Sequence, residues 1–65
     1  MFNLYDNVLI KTKNIPGVIV DILHSENGAI YTVESNIKGK RDDGYGGIWP
    51  LFDCKENELQ FMGRP

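Results

Sequence analysis

Two short apolar runs, separated by a polar turn, constrain the fold of this chain more than any other feature. The first spans residues 18–23 and the second residues 29–34, and both are rich in β-branched and aromatic residues. The polar stretch between them ends in Asn27-Gly28, a dipeptide typical of hairpin turns. This arrangement predicts an antiparallel β-hairpin.

Three further strands are predicted around the hairpin. Residues 7–11 indicate a short strand before it, and residues 59–62 indicate the last strand of the chain. Residues 48–52 form another apolar run, but proline cannot donate a hydrogen bond to a β-ladder. We therefore expect this strand to lie at an edge of the sheet or to begin near Pro50.

The alternation of side chains predicts which face of two strands is buried. Val8 and Ile10 share one face of the first strand. In the third strand, Ala29, Tyr31 and Val33 share the face that we expect to form the core, and the alternate positions face outward.

The local sequence also predicts the connections. Ile15-Pro16-Gly17 indicates a turn, because proline fixes φ and glycine tolerates a positive φ. Residues 18–23 carry apolar side chains at both alternating sets of positions, so we expect a strongly bent strand with a β-bulge. Asp53, followed three residues later by Glu56, predicts one turn of helix or 3₁₀-helix before the last strand.

The composition is that of one small globular domain. The chain has 65 residues, of which 42% are hydrophobic and 25% charged, so we expect a single domain over residues 1–65. The net charge of −2 disfavours binding to nucleic acid by general phosphate attraction. The single cysteine, Cys54, cannot form an internal disulfide, which fits a reducing cytoplasm. The sequence shows no export signal or membrane anchor, so we expect no membrane partner.

Residues 35–47 interrupt the strand pattern. This stretch holds four glycines and five charged residues and is long for a loop in so small a domain, so we expect it to be functional or flexible. Tyr45 within it is an expected anchor for a partner, with the alternative that it folds back over the core. Trp49, beside a strand proline, is the first candidate partner contact, because tryptophan is enriched in binding hot spots; the alternative is a core tryptophan.

The one dense basic group of the chain consists of Lys38, Lys40 and Arg41. With Tyr45 and Trp49 nearby, it suits contact with a phosphate backbone while an aromatic ring stacks on a base. Asp42 and Asp43 follow directly and cancel most of the local positive charge. A solvated loop whose charges keep the sheet edge soluble is therefore the preferred interpretation of this group.

No combination of residues matches a catalytic or metal site. Cys54 and His24 are the only candidates for a Cys/His pair, and they lie in separate predicted turns. One cysteine and one histidine cannot build a structural zinc site, and Asp42-Asp43-Gly44 lacks the spaced oxygen ligands of a calcium loop. We therefore predict no enzyme activity, no cofactor and no metal.

The order of these segments resembles the SH3-like barrel superfamily, especially KOW-type modules and related small bacterial domains. The resemblance covers about residues 6–61 and is carried by Gly17 to Ile22, by Tyr31, by Val33-Glu34 and by Glu58-Leu59. It implies an all-β fold, namely a strongly bent five-stranded antiparallel barrel with a short 3₁₀ turn before the last strand. The long stretch 35–47 and the acidic balance depart from the RNA-binding KOW pattern.

Together these features predict a non-enzymatic binding module whose partner is another protein. The expected surface combines the 35–47 loop with the edge around Trp49 and Pro50. An adaptor or regulator and an immunity or phage-type inhibitor both remain open. The alternative function is a KOW-like module that contacts RNA or DNA through residues 38–41, which the acidic charge disfavours. A weak dimer through an edge strand left open by Pro50 is a further expectation.

Overall fold

The chain forms one five-stranded antiparallel sheet in the computed structural model, which describes residues 2–37 and 49–63. The predicted all-β class is confirmed. No helix in this part of the chain is long and apolar enough to span a membrane. The order of strands across the sheet is β4-β3-β2-β1-β5. Within residues 2–37 and 49–63, β4 does not pair with β5, so the sheet is not closed into the predicted barrel. Along the chain the elements are β1 (Asn7–Ile10), β2 (Ile15–Ser25), β3 (Gly28–Ser35), β4 (Leu51–Lys55), a 3₁₀ turn (Glu56–Glu58) and β5 (Leu59–Gly63).

The predicted hairpin is confirmed as the pair β2 and β3, and its turn is tighter than expected. Only Glu26 and Asn27 lie outside the strands, and Ser25 pairs with Gly28. Gly28 has a φ of 110°, a conformation that residues with a Cβ rarely adopt. The Ser25 hydroxyl donates a hydrogen bond to the Gly28 carbonyl oxygen at 2.8 Å and closes the turn.

The predicted turn at Ile15-Pro16-Gly17 is wrong, because these residues are the first part of β2. The chain reverses instead over residues 11–14, so that Ile10 pairs directly with Ile15. Asn14 supplies the positive φ, at 56°, and asparagine is among the residues that tolerate this region best. Cross-strand pairing to β1 therefore overrides the local Pro-Gly signal.

A β-bulge in β2 is confirmed. Ile19 pairs with Val33 and Asp21 with Thr32, so Val20 is an extra residue with no partner of its own in β3. An extra residue reverses the alternation of the side chains beyond it. This shift puts Ile22 on the core side, although it belongs to the same alternating set as Val18, which faces outward.

The core lies on one face of the sheet and matches the predicted alternation. Phe2 packs edge-on against the Tyr31 ring, with 5.4 Å between the ring centroids, and covers one end of the core. The Tyr31 hydroxyl donates a hydrogen bond to Glu56 at 3.2 Å. The buried apolar residues are Val8, Ile10, Ile19, Tyr31, Val33, Cys54 and Leu59.

The approach to the last strand is partly as predicted. The strand β4 begins directly after Pro50 and is an edge strand, which confirms the expectation from proline. The short 3₁₀ turn exists, but it begins at Glu56 rather than at Asp53. Asp53 lies in β4 and accepts a hydrogen bond from the Thr32 hydroxyl at 2.9 Å. The capping carboxylate is that of Glu58, which accepts a hydrogen bond from the Lys55 amide at 2.8 Å.

We predict that Gly17→Ala destabilises the fold although the glycine has no positive φ. A Cβ at this position would lie 2.5 Å from the carbonyl oxygen of Glu34 and 2.6 Å from Cγ1 of Val33. Overpacking of this kind costs about 1–3 kcal/mol, and a backbone oxygen cannot move aside easily. Urea denaturation would measure the loss.

Gly28→Ala is the matched control for this substitution. A Cβ there would meet nothing within 4 Å, so this substitution tests only the strain of the positive φ. We expect it to lower the free energy of unfolding by about 1 kcal/mol. Equal stability of Gly17→Ala and the wild type would contradict the close packing of β2 on β3.

Candidate partner-binding surface

Only one of the predicted partner contacts lies within the part of the chain that the structure describes. Trp49 belongs to that part, whereas Tyr45 and the basic group at residues 38, 40 and 41 lie outside it. The predicted loop over 35–47 is described only in its first three residues, of which Ser35 still belongs to β3.

Hydrogen bonds hold Ser35, Asn36 and Pro50 in place beside one another. The Ser35 amide donates to the Pro50 carbonyl oxygen at 2.9 Å, and the Asn36 amide donates to the Pro16 carbonyl oxygen at 3.0 Å. The Ser35 hydroxyl donates to the Ile37 carbonyl oxygen and accepts from the Ile37 amide, both at 2.9 Å. The side chain of Pro50 is fully buried, so of the two residues that mark the predicted edge only Trp49 is exposed.

Trp49 is exposed beside these anchor points. The exposed fraction of its side chain is 43%, so the core alternative for this tryptophan is wrong. It lines an open groove of about 240 Å³ together with Glu34, Ser35 and Asn36. The core has Tyr31 as its largest fully buried side chain, with the ring of Phe2 against it.

The groove lies at one end of an apolar surface on the side of the sheet opposite the core. In one row across the strands, Leu51, Glu34 and Val18 are in register. In the adjacent row Pro16 pairs with Leu9, and Asn36 bonds to Pro16. The aliphatic side chains of both rows are half-buried. We call this surface the outer band, and it consists of Leu9, Pro16, Val18, Glu34, Asn36, Trp49 and Leu51.

The charge around the outer band is negative. Glu34 is exposed, and its carboxylate has no hydrogen bond or ion pair within residues 2–37 and 49–63. Asp21 and Asp53 lie further along the same face, on either side of Thr32. The part of the chain that the structure describes holds seven carboxylates and three lysines, a net charge of −4. The surface therefore combines an apolar band with an acidic surround.

A second concavity lies at the other end of the hairpin. It has a volume of about 370 Å³ and is open to solvent. Its walls come from the hairpin turn and the 3₁₀ turn, and Glu56 in one wall is held by the Tyr31 hydroxyl. The lining residues are Ser25, Asn27, Gly28, Ala29, Ile30, Lys55, Glu56 and Asn57.

The residues considered for catalysis occupy different environments. Cys54 is buried in β4 opposite Tyr31, and its Sγ is 3.9 Å from the Phe52 carbonyl oxygen. His24 is exposed near the tip of the hairpin, opposite Ala29. Within residues 2–37 and 49–63, no group of three or more histidine, cysteine, aspartate or glutamate side chains is placed to hold a metal ion.

Burial raises the pKa values of two core groups. The pKa of the Cys54 thiol is raised to about 11, mainly by desolvation and then by the nearby carboxylates of Glu58 and Asp53. The pKa of the Tyr31 hydroxyl is also raised, mainly by burial. Both groups are therefore neutral at physiological pH, and Cys54 is a structural rather than a reactive thiol.

Comparison of the chain with protein-family models, curated proteins and solved structures finds no significant match. The candidate partner surface is therefore inferred from the geometry and charge of the described residues alone. The sequence contained two signals for it, namely Trp49 beside a strand proline and the alternation in β3 that puts Glu34 on the outward face. The contribution of Leu9, Pro16 and Val18 had no such signal, because it depends on the register of β1, β2 and β3.

We predict that Trp49→Ala changes stability much less than truncation of the core. A side chain that is 43% exposed loses only part of its transfer free energy on truncation, which gives about 1 kcal/mol. Ile19→Ala, at a position with 0% exposure, should cost about 2–5 kcal/mol. Thermal or urea denaturation of both variants checks the difference, and unfolding of the Trp49 variant would return this residue to the core.

We also predict that stability falls as the pH rises from about 9 to about 11. The folded pKa of Cys54 is raised from 9.0 to about 11, so the unfolded chain releases this proton first and becomes favoured in that range. Below pH 9 the contribution is fully present. Denaturation of wild type and Cys54→Ala at pH 8 and pH 10.5 measures it. If Cys54→Ala loses as much stability between these pH values as the wild type, the loss comes from other groups, such as Tyr31.

Proposed function

We propose that this protein is a non-enzymatic protein-binding module with an SH3-like fold. Two features support the fold. The five antiparallel strands with a short 3₁₀ turn before the last one are what the resemblance implies. In addition, the ammonium of Lys13 lies 5.4 Å from the centre of the Phe52 ring. This contact joins the β1–β2 turn to β4, although β2 and β3 lie between β1 and β4 in the sheet. A flat sheet would hold these two elements apart, so the contact favours a coiled sheet.

The observation that carries the binding function is the exposed Trp49 beside the groove at one end of the outer band. A tryptophan combines a large apolar surface with an N–H donor and is enriched where partners contribute most binding energy. Backbone hydrogen bonds of Ser35 and Asn36 hold the strand ends on which the groove is built. A preformed surface loses little conformational entropy on binding.

The acidic surround favours a protein partner over nucleic acid. The net charge of the chain is −2, and Glu34, Asp21 and Asp53 on the outer face would repel a phosphate backbone. The KOW-like alternative depends on Lys38, Lys40 and Arg41, which lie outside the described residues. That alternative stays a prediction, and salt dependence distinguishes it from the proposal.

The test is affinity purification from a lysate of the source organism with wild type, Trp49→Ala and Leu23→Ala as baits. Leu23 is the matched control, because its side chain is 64% exposed and it lies near the far end of β2. We expect a defined protein to be retained by wild type and Leu23→Ala and lost with Trp49→Ala. The retained protein is then purified and its affinity for each bait measured, with a loss of at least tenfold expected for Trp49→Ala.

Two results would contradict the proposal. Equal affinity of the purified partner for wild type and Trp49→Ala would place the interface elsewhere. Recovery of nucleic acid that disappears between about 50 mM and 200 mM salt would support the KOW-like alternative, because phosphate contacts weaken steeply with salt.

A further inference from the structure

The position of Glu34 in the outer band restricts the kind of partner that can dock there. This carboxylate lies between Val18 on one side and Leu51 on the other, in the same row of the sheet. It also lines the groove with Trp49. It is therefore a charged group with apolar neighbours on three sides, and it has no ion pair within the part of the chain described.

A partner that covers the outer band must remove water from this carboxylate. An ionised carboxylate is costly to bury unless a cation or several hydrogen-bond donors replace the lost water. A wholly apolar or an acidic partner surface would leave Glu34 without compensation. Glu34 thus acts as a selectivity element, since it penalises partners that bring no positive charge.

We infer that the groove between Glu34 and Trp49 takes an arginine side chain presented by the protein partner. A guanidinium stacks on the face of an indole ring and at the same time donates two parallel hydrogen bonds to a carboxylate. An ammonium is more strongly hydrated and lacks this flat, forked shape, so lysine fits the pair less well. The inference rests on the proposed function, because it names what the partner of the same surface presents.

The acidic surround supports a cationic segment rather than an isolated arginine. Asp21 and Asp53 lie on the same face as Glu34, on either side of Thr32. The whole chain has a net charge of −2, so a basic segment is attracted rather than repelled as it approaches. A second copy of this chain that docked through the same face would place its own Asp21, Glu34 and Asp53 against these carboxylates and is disfavoured as the occupant.

The test uses three capped tripeptides as probes, acetyl-Gly-Xaa-Gly-amide with arginine, lysine or citrulline at the centre. Each is titrated into the isotope-labelled full chain and followed by amide and indole N–H chemical shifts. We expect the arginine peptide to shift the indole N–H of Trp49 and the amides of residues 34–36, with lysine weaker and neutral citrulline inactive. Glu34→Gln should weaken arginine binding about three- to five-fold, the effect of one exposed ion pair.

Glu26→Gln is the matched control, because it removes the same charge from the exposed hairpin turn. It should leave arginine binding unchanged. Shifts confined to other residues, or equal affinity in Glu34→Gln and wild type, would overturn the inference. The two proposals can be distinguished. If the purified partner requires Trp49 but binds Glu34→Gln as tightly as wild type, the protein-binding function is supported and the arginine contact is contradicted.

Discussion

The close packing of β2 against β3 is the interaction on which the rest of the structure depends. Gly17 allows the two backbones to approach closely at the start of this pairing. The bulge at Val20 changes which face of the sheet the following side chains of β2 occupy. Without the bulge, Ile22 would point away from the core and Asp21 toward it. Because β2 also pairs with β1, the same strand sets the register of both halves of the sheet.

This register determines the outer surface as well as the core. The rows that put Ile19 opposite Val33 also put Val18 opposite Glu34 on the other face. A core mutation that shifted the register by one residue would therefore disrupt the candidate partner surface at the same time. In a sheet this small, stability and recognition depend on the same backbone pairings.

Much of the fold was predictable from the sequence, because local patterns and tertiary pairing agree over most of it. The hairpin, the buried alternation of Tyr31 and Val33, and the start of β4 after Pro50 follow from side-chain period and from proline chemistry. The Pro-Gly turn failed because a local turn signal competed with a longer pairing to β1, and the pairing won. The 3₁₀ turn was placed too early because the first acidic residue, Asp53, looked like its cap but bonds to Thr32 across the sheet.

The candidate surface was less predictable than the fold. Tryptophan is buried more often than it is exposed, so composition alone favoured a core position for Trp49. Its position beside the groove depends on the hydrogen bond from the Ser35 amide to the Pro50 carbonyl oxygen, which joins residues distant in sequence. The outer band likewise joins side chains from four strands, and only the register brings them into two rows.

The pairing of β1 with β5 also determines the order in which this sheet can assemble. Asn7 and Gly63 are opposite each other although they are more than fifty residues apart in sequence, whereas β2 and β3 are joined by two residues. The hairpin can form as soon as residue 35 has left the ribosome, because its loop costs little entropy to close. The first strand must wait for residues 59–63 to complete its ladder, so during synthesis its second edge stays open to solvent and to other nascent chains.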